Sequence, residues 1–471
     1  MSPAGPLRTG YTDPKPPAYR IYCIVWTLGL RSTEKNVYGE IQIQAAPPTA
    51  ERVGQFYLST AIRLALAGSL LALAVVPYLP VFVQPFVSDD YIQLDLGRRY
   101  GPVSAWGDLA TDVLYRCRAT SIVITHWTEQ AFGIAPLPFY ATSVLLHVVN
   151  TFLVLLAGWK LGLGGIRSYL ASAFFAVLAV HQEAVMWYAA LPELLLFFFC
   201  ALFLLSWNSY LRRGNPLQYG LALLWFVLAL LSKEAGVVLV PVAAAMLFQR
   251  GKSVWQALPM GLLAIAYTLA IFEAESDHLH LNDGTFSLQA PFLAVWARSA
   301  WRMFGVWGLL GLVAVAMWQR RVLHKLAPAA VWSACALLPF SFLLYMPVVP
   351  SRHTYLASAG VGFFVAAGLL AVRRQYPLLR WLPAALVMAM VLQNTGYIWT
   401  KKRQQFLARA EVTEGLLRIA RETTGPIYVQ CLPYTKDVAS KAIEIVLAQP
   451  ATRLVWSDPP PGATTYCAKH P

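Results

Sequence analysis

Residues 58–90 read LSTAIRLALAGSLLALAVVPYLPVFVQPFVSDD, an apolar run carrying one charge, Arg63, and ending on two adjacent carboxylates, Asp89 and Asp90. A helix needs about 20 apolar residues to cross roughly 30 Å of hydrocarbon. The run, starting near Tyr57, therefore reads as a first transmembrane helix with an acid pair at its end. Further runs begin near Phe139, Tyr169, Leu194, Tyr219, Gly236, Val254, Trp301, Ala329, Tyr355 and Leu382, making about eleven spans by the same length rule. Composition agrees. Of 471 residues, 58% are hydrophobic and 13% charged, and the mean hydropathy is +0.53, which excludes a soluble globular domain. The expected class is an all-α polytopic membrane protein.

Lys and Arg close to helix ends stay cytoplasmic. One set of short links carries Lys160 and Arg167, then Arg212 and Arg213, Arg250 and Lys252, Arg320, Arg321 and Lys325, and Arg373, Arg374 and Arg380. The opposite set holds Asp89, Asp90, Asp95, Asp108, Asp112 and Glu129, then Glu183 and Glu193, Glu234, and Glu273, Glu275, Asp277 and Asp283. The acidic set is expected to face outward, across the inner membrane of a bacterial cell. The net charge of +14 then reflects topology and attraction to anionic lipid, not a nucleic-acid footprint.

Three regions follow. Residues 1–55, rich in Pro and lacking the apolar core and cleavage site of a signal peptide, read as a flexible cytoplasmic leader, with a non-Met start nearer Val53 left open. Residues 56–400 form the membrane domain, with a long first outer loop at about 87–138 and another at about 273–298. Residues 401–471 have soluble composition and read as a small α/β domain: helix 404–419, strand 426–432, helix 438–447, strand 453–456. Cys431 and Cys467 lie there. An odd helix count puts this tail outside, where they can pair, whereas Lys401, Lys402 and Arg403 favour the inside. Within the first outer loop, Trp106, Leu109, Val113 and Leu114 recur at helical spacing opposite Asp108 and Asp112, the pattern of an interfacial or packed helix.

Ionisable groups recur at the acidic ends of other helices: His181-Gln-Glu183, Ser232-Lys233-Glu234, and Arg352-His353 after the turn 346–350. A charge at membrane depth costs roughly 2.5–3.5 kcal/mol, so such groups pair or line a polar cavity. Carboxylates and cations at one level mark a candidate reaction site, although Lys233 and Glu234 taken singly read equally well as an ion pair. His147 and Asn150 read as an interhelical contact.

These segments, Asp89-Asp90, Leu146-His147-Val-Val-Asn150, His181-Gln-Glu183-Ala-Val-Met-Trp187, Leu231-Ser-Lys-Glu234 and Ser351-Arg-His-Thr-Tyr-Leu-Ala-Ser358, resemble the C-fold (GT-C) membrane glycosyltransferases. The likeness is greatest to the branch of protein O-mannosyltransferases and their transmembrane, tetratricopeptide-repeat-containing relatives. It implies a GT-C bundle that moves a hexosyl or pentosyl group, with inversion, from a polyprenyl-phosphate donor to a hydroxyl on a glycolipid, polysaccharide or protein. It assigns the base to Asp89 beside Asp90 and donor-phosphate binding to Lys233 and Arg352, to which the charge of a departing phosphate adds His353. His181, Glu183, Glu234 and Arg116 would support the site. The chain departs from that pattern in Trp187-Tyr-Ala-Ala-Leu191-Pro-Glu193, in Ser351 before Arg352, and in having no repeats after the membrane part, which bears on sugar and acceptor.

The chemistry suits these residue types. A carboxylate can take the proton of an attacking hydroxyl, adjacent carboxylates raise one another's pKa, and cations neutralise a departing phosphate. No cofactor is expected; the alternative is a divalent ion on Asp89, Asp90, His181 and Glu183. The second function class is a flippase or transporter that binds a lipid-linked headgroup without transferring it.

Overall fold

In the computed structural model the apolar runs become helices. The model describes residues 60–273, 285–344, 347–376, 378 and 381–468. The expected leader, together with Glu275, Asp277, Asp283, Met346 and Arg380, lies outside the described residues. Six described helices are long and apolar enough to cross a membrane: Thr60–Val83, Pro136–Lys160, Tyr188–Arg213, Val254–Glu273, Arg320–Phe342 and Ser351–Gln375. Two bent pairs raise the number to eight, one over 165–186 with a 51° bend and one over 292–318 with a 79° bend. Shorter apolar helices at Pro216–Leu230 and Glu234–Gln249, and the helix Leu382–Tyr397, take the remaining expected starts. The chain is an integral, multi-pass membrane protein.

The α-helices in chain order begin with α1 (Thr60–Val75), α2 (Asp90–Tyr100), α3 (Val113–Phe132), α4 (Pro136–Lys160) and α5 (Gly165–Val177). Next come α6 (Gln182–Met186), α7 (Leu191–Arg213), α8 (Pro216–Leu230), α9 (Leu239–Gln249) and α10 (Leu258–Glu273). Then follow α11 (Phe292–Trp318), α12 (Arg320–Leu337), α13 (Tyr355–Gln375), α14 (Leu382–Tyr397), α15 (Arg403–Glu422) and α16 (Lys436–Leu447).

Helix α13 is the centre of the bundle, apolar around its circumference and buried over most of its length, as such a helix must be. Its small residues let neighbours approach at backbone distance. A Cβ on Gly362 would sit 2.8 Å from the Ala171 carbonyl of α5, and one on Gly368 would sit 2.3 Å from the Gly311 Cα of α11. The bend in α11 falls at Gly305, whose φ of +50° suits glycine.

The first acidic loop is built from α2, a 3-10 turn over Val103–Ala110, and α3. The helix expected across Trp106–Leu114 is therefore two elements. Asp112 ends the run by capping α3, its carboxylate accepting the Tyr115 N–H at 2.8 Å.

The C-terminal domain has the expected α/β pattern and one element more. Strands β1 (Ile427–Cys431), β2 (Leu454–Val455) and β3 (Thr464–Cys467) form a parallel sheet in the order β2-β1-β3. A Cys431–Cys467 disulfide joins β1 to β3. The domain sits on the acid-pair end of the bundle: Lys441 pairs with Asp95 of α2 at 3.2 Å, and the Tyr91 hydroxyl reaches Glu414 at 3.5 Å.

Replacing Gly368 by Leu should force α11 and α13 apart and cost at least about 1–3 kcal/mol, the usual penalty for overpacking. Gly261→Ala, where a Cβ meets open space, is the control expected to stay within about 0.5 kcal/mol. Thermal unfolding of the detergent-solubilised protein, followed by size-exclusion chromatography, measures both; equal midpoints would refute the contact.

Candidate active site

The acid pair divides into a buried member and an open one. Ser88, at φ +50°, turns the chain into α2. Asp90 is fully buried. Its Oδ2 accepts the Val87 N–H at 2.8 Å and the Tyr140 hydroxyl at 2.9 Å, and its Oδ1 accepts the Ala189 N–H at 2.7 Å. Gln84 extends the knot, donating to the Tyr140 oxygen at 3.1 Å and to the Met186 carbonyl at 2.8 Å. The Trp187 indole N–H closes it on the Val87 carbonyl at 3.2 Å. Burial pushes the Asp90 carboxyl up to about 7 against the pull of its three donors. Repulsion from Asp89, the cause expected from sequence, is the smallest contribution. Asp89 is half-buried and holds the Ser88 hydroxyl at 2.9 Å. Asp90 is thus a brace, and Asp89 presents the accessible carboxylate.

The cationic groups do not form one cluster. Lys233 Nζ and His353 Nδ1 both meet Oε1 of Glu193 and lie 3.1 Å from each other. All three side chains are buried, and the His353 ring stacks on Phe340 at 4.2 Å. The charge of Lys233 is therefore matched inside the protein, not presented beside Asp89. Glu234 pairs with Arg118 of α3 at 2.6 Å. Arg116, the arginine expected to support the site, instead donates to the carbonyls of Leu109, Ala110 and Ala270, stitching the first loop to α10.

Arg352 is the cation that stays accessible. Its backbone N–H donates to Glu183 at 3.1 Å, while its guanidinium is 4.0 Å from the same carboxylate. The guanidinium carbon lies 5.0 Å from the centre of the Trp187 ring. Since Trp187 is bonded to Val87, Arg352 and Asp89 flank one structural unit. His181 is elsewhere: fully buried, its Nε2 meets Ser358 Oγ at 2.6 Å. It packs near His147, whose two ring nitrogens meet the Tyr355 hydroxyl and the Ala176 carbonyl at 2.8 and 3.0 Å. Both histidines belong to the core. Among the described residues no three His, Cys, Asp or Glu gather to hold a metal ion, so the four groups weighed for a divalent site do not form one.

Three residues were missed by sequence reasoning. The sequence shows Glu193 as a loop acid and as part of the Trp187–Glu193 segment, Arg118 as a neighbour of Arg116, and Arg409 within the helix expected over 404–419. Arg409, from α15, lies 4.6 Å from the Trp187 ring centre.

No family model matches the chain, and no curated protein matches it. Two solved structures resemble it in fold. The oligosaccharyltransferase of Archaeoglobus fulgidus, tethered to an acceptor peptide, is 11% identical with a TM-score of 0.48 over 84% of this chain. The chain spans 64% of that protein's length. ArnT from Cupriavidus metallidurans, bound to undecaprenyl phosphate, is 13% identical with a TM-score of 0.49, covering 82% of this chain and 85% of that one.

Two outcomes follow from this geometry. Glu193→Gln or Lys233→Met alone should destabilise by about 3–5 kcal/mol, because each leaves a buried charge unmatched, and the double variant should recover most of the loss; additive losses in thermal unfolding would refute the pairing. For Asp90, the folded carboxyl titrates near 7 and the unfolded one near 3.8. The folded state then holds more protons between those values, so stability falls as pH rises from about 4 to about 7. Asp90→Asn should flatten that slope in unfolding midpoints taken across the interval; an unchanged slope would assign it to another group.

Proposed function

We propose that the chain is an inverting glycosyltransferase of the GT-C class that transfers a sugar from a polyprenyl-phosphate donor to a hydroxyl acceptor. The observation that carries this reading is the half-exposed carboxylate of Asp89, held by the Asp90 knot next to the Trp187–Arg352 unit. Asp89 takes the acceptor proton as the hydroxyl oxygen bonds to the anomeric carbon. The bond from that carbon to the phosphate oxygen breaks, its electron pair leaves with the polyprenyl phosphate, and Arg352 receives the charge. Lys233, His353 and Glu193 act one layer below, fixing the backbone that carries Arg352.

A lipid donor also needs an apolar berth. A groove of about 790 Å³ runs between α1, α5, α13 and α14, lined by residues such as Leu73, Val76, Leu170, Val387 and Val391. Its lining is almost wholly apolar and suits an isoprenoid chain. The site is proposed to face the periplasm: the basic links lie at the other end, and the Cys431–Cys467 disulfide on the acidic end requires an oxidising compartment. The O-mannosyltransferase branch is the proposed relative, with a glycolipid or surface polysaccharide as acceptor in place of a protein.

Transfer of radiolabelled sugar from defined polyprenyl-phosphate donors in membranes tests the reading. Asp89→Asn should lower transfer by about 100-fold or more, and Arg352→Ala should lower it as well. Undiminished transfer by Asp89→Asn would sink the base assignment. Lipid crossing liposome bilayers without donor consumption would establish the transporter reading instead.

A further inference from the structure

Two guanidiniums converge on one indole ring. Arg352, at the mouth of α13, and Arg409, on the C-terminal domain, lie 5.0 and 4.6 Å from the centre of Trp187. Sharing a ring keeps them within a Debye length of each other, about 10 Å at 0.1 M salt, so their charges repel. The local acids do not cancel that repulsion. Glu183 reaches Arg352 only at 4.0 Å, and among the described residues Arg409 has no ion-pair partner. Of the other acids of this end, Glu193 pairs with Lys233, Glu234 with Arg118, and Asp95 with Arg99 and Lys441, while Asp89 stays open.

The ring is nearly covered, at 8% exposed, and its indole N–H is tied to the acid-pair loop. The two cations are thus held by a rigid plate at the side of the candidate base. Asp89 and Arg409 both lie near enough to Tyr434 to act on it, in opposite senses, and the Tyr434 hydroxyl donates to the Arg409 carbonyl at 2.8 Å. A surplus of two planar donors beside an open carboxylate is the arrangement that recognises an oxyanion with several oxygens.

We propose that Arg409 and Arg352 together form a two-guanidinium site across Trp187 that binds the phosphate of the lipid-linked donor. The proposal rests on the transferase reading above. It makes the C-terminal domain part of donor recognition, because half of the site is carried on α15. The simpler account, that Arg409 only packs its stem on Trp187 to dock the domain, differs in one respect: it needs the aliphatic chain and not the charge.

Binding of undecaprenyl phosphate to the full-length protein in nanodiscs separates the two. Arg409→Met keeps the packing and removes the charge. It should weaken binding about 10- to 100-fold, the size of one charge-assisted hydrogen bond, and raise the donor KM more than it lowers kcat. Arg409→Lys should recover part of the affinity. Binding by Arg409→Met equal to wild type would overturn the proposal, as would loss of affinity accompanied by faster proteolysis of the domain, which assigns docking. If wild type binds and the variant binds equally well, this inference alone fails. A wild type that binds no polyprenyl phosphate overturns both this site and the donor class proposed above.

Discussion

The buried carboxylate of Asp90 is the constraint on which this end of the molecule depends. An isolated ionised carboxylate in a protein interior costs several kcal/mol, and a half-satisfied one is worse than none. Asp90 is tolerable because three segments far apart in sequence each supply a donor: Val87 beside it, Tyr140 on α4, and Ala189 before α7. The same bonds that offset its burial fix the relative positions of those segments. Asp89, adjoining it at the start of α2, therefore inherits a defined place although the Ser88 hydroxyl is the one side chain that bonds its carboxylate among the described residues. An accessible carboxylate and a structural one can be neighbours because their burial differs.

Charge matching then decides which cations are available. Glu193 and Glu234 lie close to Lys233 and Arg118, and each acid neutralises one cation in a buried or half-buried setting. Such pairs are weak evidence for stability but strong evidence that neither partner is free. At Trp187 the matching is weakest: Arg352 meets Glu183 only at 4.0 Å, and Arg409 has no ion pair among the described residues. The lysine that sequence logic favours for an anion is thus the least able to meet one, and the surplus is on two arginines. Arginine suits that place, since its guanidinium can stack on an aromatic face while its edge still donates.

The amount visible in the sequence follows from the range of the interaction concerned. Helix positions were legible because apolar length is local, and each expected start meets a helix. The α/β pattern of the tail was legible for the same reason, except β3, whose four residues carry no periodicity. Pairings were not. Lys233 and Glu193 are 40 residues apart, and nothing in either neighbourhood names the other. Arg116 and Arg118 are two positions apart on α3, so they point to different faces. Only the fold shows that Arg118 meets Glu234 while Arg116 ties down carbonyls. The periodicity across Trp106–Leu114 misled because it ran through the Asp112 cap, where the helix axis changes.

The C-terminal domain illustrates how a feature that looks accessory becomes structural once its contacts are known. Its opening basic triplet argued for the opposite side of the membrane. Lys401 and Lys402, however, lie 6.0 and 5.6 Å from the Tyr397 ring, and Trp399 donates to the carbonyls of Val76 and Pro77 at the end of α1. Tyr397 and Trp399 belong to the aromatic belts that mark both membrane faces. Two lysines of the triplet are thus held against the ring of Tyr397 at the exit of α14. The domain's docking on α2 and its arginine over Trp187 place it on the Asp89 end of the bundle. Of the two guanidiniums at that ring, one is therefore carried by a domain that its composition alone marks as an appendage.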